Sequence, residues 1–244
     1  MSTTKCHWFA IVLAAMVLRI ATASAAQVVV LASTVPGLNP GALVDSATAI
    51  KVPAGGMVMI NELSGKTRTI AGPYDGPIAG PAPTAQNQDL ASSLGRLVAS
   101  RHAEQSRLGA VRSAPDQRLQ DPELVTVAYS STQCIRSGAP VRLWRPSTMD
   151  ADSAVIITDA ATSTTIRTVW HKGLTALNWP DELPIGSGGR YLVNLEFSPR
   201  PVELVLHRLP DGLTVPAEQA AWMESAGCRR QALLLLERIV AAGG

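Results

Sequence analysis

Short apolar runs alternating with Gly/Pro-rich breaks dominate the chain, and helical spacing of apolar residues appears only near residue 90 and in the tail. Residues 27–32 (QVVVLA), 48–52 (TAIKV), 57–63 (MVMINEL) and 66–71 (KTRTIA) predict strands. Pro36-Gly37, Pro40-Gly41 and Pro53-Ala54-Gly55-Gly56 break them, and Ser64-Gly65 is a two-residue hairpin signal. Residues 76–83 (GPIAGPAP) read as a linker without periodicity. Leu90, Leu94, Leu97 and Val98 then recur at helical spacing behind Asp89, which suits a helix N-terminus. Polar residues follow to Gln120, so this segment predicts an amphipathic helix with a solvated basic face.

From Glu123 the alternation returns. Residues 124–130, 139–145, 153–158, 164–170, 174–178, 190–196 and 202–208 predict short strands between turn signals, the texture of a β-sandwich. The tail predicts helices. Pro216 suits a first helical position, Gly227 interrupts, and residues 231–242 (QALLLLERIVAA) resume with Leu233, Leu236, Ile239 and Val240 as an apolar stripe expected to pack on the sandwich. The expected fold is mainly β: a small N-terminal β-domain (27–80), a linker with an amphipathic helix (81–120), and an immunoglobulin-like β-sandwich with C-terminal helices (121–244).

Residues 1–26 have a different character. Lys5 precedes an apolar run from Trp8 to Leu18, and small residues from Ala21 to Ala26 follow, the pattern of a secretory signal peptide. Arg19 ends the run well short of the roughly 20 residues that span a bilayer, so no transmembrane anchor is expected in the mature chain. The expected address is periplasmic or secreted. Of the 21 basic residues, Lys5 and Arg19 fall in this leader, leaving 19 to balance 19 acidic ones. A neutral chain lacks the broad positive field that nucleic acid requires, so no nucleic-acid partner is expected.

The leader also removes Cys6, which leaves Cys134 and Cys228 as a pair in an oxidising compartment. We expect a disulfide between them; the alternative is two unlinked buried thiols. Neither has a Cys or His at zinc spacing, and no metal or other cofactor is expected.

The stretch PGALVDSATAIKVPAGGMVMINELSGKTRTIAGP resembles the FecR-type periplasmic domain in its short strands of the form G-x-x-l…v-P-x-G-x-x-v-x-l. That resemblance covers under a quarter of the chain, implies envelope association or signal relay, and carries no functional residue over. Gly189-Arg190-Tyr191 resembles the approach to the tyrosine corner of immunoglobulin-like domains. Val193 stands where antibody domains place their second cysteine, so the resemblance is to the architecture alone.

No catalytic constellation is found. There is no G-x-S-x-G elbow, His102, His171 and His207 lack metal spacing, and Gly186-Ser187-Gly188-Gly189 precedes a strand rather than a helix. Aromatic residues are scarce, yet Trp144, Trp170, Trp179 and Trp222 are retained. Trp144 falls opposite Val141 and Leu143 on its strand, and Trp179 adjoins Asp181 and Glu182 in a loop that resembles a sugar cleft. Trp144, Trp179, Asp181 and Glu182 are therefore the candidate binding residues, with core packing as the alternative for the rings. The expected function is a non-enzymatic exported envelope interaction protein with an envelope protein or a glycan as partner; a carbohydrate- or peptidoglycan-binding or -acting protein is the alternative.

Overall fold

The computed structural model describes residues 27–62, 66–78, 85–108, 121–196 and 198–243. The predicted leader, the predicted Ser64-Gly65 hairpin tip and most of the predicted linker lie outside the described residues. The fold is mainly β, with three helices among the described residues, one of them at their C-terminal end.

The first strand, β1 (Gln27–Ser33), is central to a four-stranded antiparallel sheet ordered β2-β1-β4-β5, with β2 (Leu43–Asp45), β4 (Met57–Asn61) and β5 (Thr67–Ala71). A separate two-stranded sheet joins β3 (Ala49–Val52) to β6 (Tyr74–Pro77). Gly76 and Pro77, expected in the linker, are therefore paired with Ile50 and Ala49. Val28, Val30, Val58, Ile60 and Ile70 fill the core between the two sheets together with Ile50, Val52 and Ile78. The opposite face of the larger sheet presents Val29, Leu31 and Met59 to helices. Burial on both faces explains why β1 reads as an unbroken apolar run rather than an alternating one.

The covering layer is helical. α1 (Ala85–Leu108) sets Ala91, Leu94, Leu97 and Val98 against β1, while α2 (Pro216–Ser225) contributes Ala217, Ala220, Ala221 and Met223. α3 (Arg229–Gly243) adds Ala232 and Leu236, with Leu233, Ile239 and Val240 packed at the margin. One backbone contact fixes the seating of α1. A Cβ on Gly95 would lie 2.8 Å from the Gly41 carbonyl oxygen, and Gly41 itself has φ +89°. Glycine at both positions lets the helix lie directly on the loop before β2.

Eight strands form the second β-portion. A five-stranded sheet runs β11-β10-β13-β14-β8, from β8 (Ser131–Ile135), β10 (Ser153–Asp159), β11 (Thr165–Trp170), β13 (Gly189–Leu195) and β14 (Val202–Arg208). It faces a three-stranded sheet ordered β12-β9-β7, from β7 (Leu124–Thr126), β9 (Arg142–Trp144) and β12 (Ala176–Asn178). Val155, Ile157, Val193, Leu204 and Leu206 from one sheet meet Val125 and Leu143 from the other, closing a sandwich. β8 falls outside every predicted strand: its sequence, STQCI, is polar at three of five positions, and it runs parallel to β14.

Cys134 and Cys228 stand at disulfide distance, Cα atoms 5.7 Å apart and both side chains 1% exposed. The link does not close the sandwich on itself. It ties β8 to the start of α3, which meets the sandwich edge there through Gln231, while the rest of α3 packs on α2, α1 and β5 and not on the sandwich as expected from the sequence. The apolar stripe of the tail thus belongs to the helical layer that covers the N-terminal sheet.

Candidate functional site

Two edge strands of the sandwich are finished by glutamine side chains. In a parallel pair, the N–H and C=O of one residue point to the same side, so those of Cys134, facing away from β14, need partners elsewhere. Gln231 of α3 supplies them: its Oε1 accepts from the Cys134 N–H at 2.7 Å, and its Nε2 donates to Cys134 O at 2.8 Å and Pro122 O at 2.7 Å. Gln133 does the same for β7, accepting from the Thr126 N–H at 2.7 Å and donating to Thr126 O at 2.8 Å. Each amide imitates the neighbouring strand that is missing.

The Gln133 brace holds β7 at the edge of the three-stranded sheet, whose outward face carries Trp144. Leu143 and Arg145 point inward, Leu143 fully buried and Arg145 9% exposed over the Trp170 ring at 4.7 Å. Trp144 and Arg142 therefore share the outer face, and the register brings Ala176 opposite Trp144 and Asn178 opposite Arg142. Trp144 is half-buried, Arg142 and Asn178 are exposed. Among the described residues the Trp144 indole N–H and the Arg142 and Asn178 side chains have no hydrogen-bond or ion-pair partner. An open ring edged by a guanidinium and a carboxamide can stack on an apolar or sugar surface and hydrogen-bond at its border. Arg142 and Asn178 escape a single-sequence reading because only the β9–β12 pairing brings them together.

The other ring of the predicted site is core. Trp179 is 7% exposed, donates its indole N–H to Leu183 O at 2.7 Å, and meets Tyr191 edge-to-face with centroids 4.9 Å apart. Its face is covered by the sandwich interior, so it cannot stack on a ligand; this corrects its assignment as a binding residue. Asp181 and Glu182 are exposed on the loop outside it. Trp170 is likewise interior, its N–H donated to Leu174 O at 3.0 Å.

Tyr191 hydrogen-bonds back along the chain. Its hydroxyl accepts from the Gly186 N–H at 2.9 Å and donates to Pro184 O at 3.2 Å. A Cβ on Gly189 would sit 2.7 Å from that hydroxyl, which accounts for the glycine. The Gly186–Gly189 stretch is thus the turn that receives the tyrosine.

Two acidic groups are perturbed. The Lys172 backbone N–H, followed by the His171 ring 3.0 Å away, holds the exposed Asp152 carboxyl below its ordinary range. Burial raises that of Glu218, in the first turn of α2. Among the described residues, no three His, Cys, Asp or Glu side chains gather to hold a metal. No described helix is long and apolar enough to cross a membrane.

The fold and this face define a class no narrower than a disulfide-linked, mainly β protein with an open aromatic surface. No family model matches the chain, and no curated protein matches it.

Proposed function

We propose that this chain is an exported, non-enzymatic interaction protein of the cell envelope, and that it binds through the outer face of the three-stranded sheet. The observation that carries the reading is Trp144, half-buried beside the cross-strand pair Arg142 and Asn178, its indole N–H and both those side chains without a partner among the described residues. Tryptophan and arginine are the residues most enriched where protein interfaces concentrate their binding energy. The Gln133 brace completes the hydrogen bonding of β7 at the edge of that sheet, which favours a preorganised face.

The leader-like first 26 residues and the Cys134–Cys228 pair support an oxidising, periplasmic or secreted address. The FecR-type resemblance of the N-terminal sheets supports placement in the envelope. The Tyr191 hydrogen bonds and the strand order support the immunoglobulin-like assignment of the sandwich.

A second reading, glycan binding, rests on the same ring: a flat indole bordered by Arg142 and Asn178 suits a sugar face with its hydroxyls. Two measurements separate them. Co-purification of a defined envelope protein with wild type, lost in Trp144→Ala, supports the first. A saturable fluorescence shift with peptidoglycan fragments, lost in the same variant, supports the second. If Trp144→Ala changes neither, this face is not the binding surface. A full-length, cytosolic product on fractionation would overturn the address.

A further inference from the structure

The five-stranded sheet has two unlike edges. At β8 the outward groups of Cys134 are met by Gln231. The other edge is β11, and among the described strands and helices only β10 packs along it. Its pairing with β10 runs unbroken from Thr165 to Trp170, without the bulge or proline that commonly blunts an edge. Antiparallel ladders bond through alternate pairs. The Asp159 N–H donates to Thr164 O, and Ala154 O accepts from the Glu196 N–H on the other side of β10. Ser153, Val155 and Ile157 therefore bond to β11, while Ala154, Ile156 and Thr158 bond to β13. The β11 residues opposite the latter three are Val169, Arg167 and Thr165. Their N–H and C=O groups point outward, and among the described residues nothing hydrogen-bonds to them.

Side chains narrow the choice of occupant. Ser153, Val155 and Ile157 are buried, so their partners Trp170, Thr168 and Ile166 lean toward the sandwich interior. Thr165, Arg167 and Val169 stand on the outer face, all exposed, Val169 by 43%. Arg167 has no ion-pair partner among the described residues. The acid near each end of the strand is engaged in a turn: Asp159 accepts from the Ala161 N–H, and Asp152 accepts from the Lys172 N–H beside the His171 ring. A second copy is a poor occupant. The antiparallel register that would use every outward group sets Arg167 against Arg167, and like charges directly opposite destabilise a pair. That one charge keeps copies of this chain apart and leaves the edge open to an acidic strand. We propose that β11 accepts an added antiparallel strand from an extended acidic segment of a partner protein. Its main chain bonds to Thr165, Arg167 and Val169, with a carboxylate opposite Arg167 and an apolar residue opposite Val169.

The probe is the pentapeptide acetyl-Val-Thr-Glu-Ile-Thr-amide, titrated into the intact disulfide-bonded protein and followed by amide chemical shifts and hydrogen exchange. It should bind saturably, shifting and protecting the amides of Thr165, Arg167 and Val169. Methylating the nitrogen of the peptide's glutamate, which faces β11 in this register, should weaken binding about tenfold. Methylating that of its isoleucine, which faces away, should leave binding nearly unchanged. Replacing the peptide's glutamate with lysine should cost about tenfold, and Arg167→Glu, an exposed change, should reverse that preference. Trp144→Ala should bind the probe normally, which separates this edge from the face proposed above. No saturable binding, equal loss from the two methylations, indifference to charge on either side, or loss in Trp144→Ala overturns the proposal. So does protection of these three amides that rises with protein concentration without peptide, since the occupant would then be a second copy.

Discussion

Replacing Gln231 by leucine removes the brace between α3 and the sandwich edge while nearly conserving volume. Gln231 is 2% exposed and makes three hydrogen bonds of 2.7–2.8 Å, so the change strands the Cys134 N–H, the Cys134 carbonyl and the Pro122 carbonyl out of reach of water. At about 1 kcal/mol for each, the lower end for an orphaned buried group, the loss is about 3 kcal/mol. Leucine recovers part of that by burying apolar surface, so we expect a net cost of about 2–3 kcal/mol. For a chain of this size that corresponds to a melting temperature lower by roughly 5–10 °C. The assay is reversible urea or thermal unfolding without reductant, so that the Cys134–Cys228 link and its loop entropy are the same in both proteins. Hydrogen exchange at the Cys134 amide gives the local readout and should accelerate in the variant. A leucine variant that melts within 1 °C of wild type, with Cys134 exchange unchanged, would refute the idea that the amide substitutes for a missing strand.

Three further outcomes follow from the packing. Cys134→Ser/Cys228→Ser, or reduction, should lower stability by about 4–5 kcal/mol in the chain-entropy picture, given a separation of 94 residues, and denaturant midpoints with and without reductant measure it. Trp179→Ala should cost about 3–5 kcal/mol as a core truncation, whereas Trp144→Ala should leave the melt within about 1 kcal/mol; equal losses would mean the two rings have been assigned to the wrong sides of the sheet. For pH, the Glu218 carboxyl is raised in the folded state by burial, so its contribution is present below its unfolded pKa and is lost as pH rises through the folded value. Glu218→Gln should therefore gain stability relative to wild type on going from acidic to neutral pH, as paired melts at the two ends would show; a constant difference would contradict it.

Much of the architecture can be read locally. The alternation in residues 153–158 and 202–208 follows from sheets with one face in a core, and the unbroken QVVVLA run follows from β1 being covered on both sides. The Cys134–Cys228 pair was legible by count, since reading residues 1–26 as a leader leaves only these two cysteines, and the two stand at disulfide distance. The Gly189-Arg190-Tyr191 signature marked a tyrosine that does bond back to the preceding turn.

Contacts between distant segments were decided by the tertiary structure. STQCI looks too polar for a strand until Gln133 and Gln231 are seen turning their amides to backbone groups 7 and 97 residues away. Trp144 and Trp179 both look like candidates in a chain poor in aromatics; pleat and register send the first outward beside Arg142 and Asn178 and the second onto Tyr191. The stripe of α3 announced burial but not its partner, and it went to the N-terminal sheet and the other helices instead of the sandwich. Periodicity along one segment determines which face is apolar, since that depends only on local geometry. Which surface covers that face depends on the shape and unsatisfied hydrogen bonds of segments far away in the chain, and only the assembled fold brings them within reach.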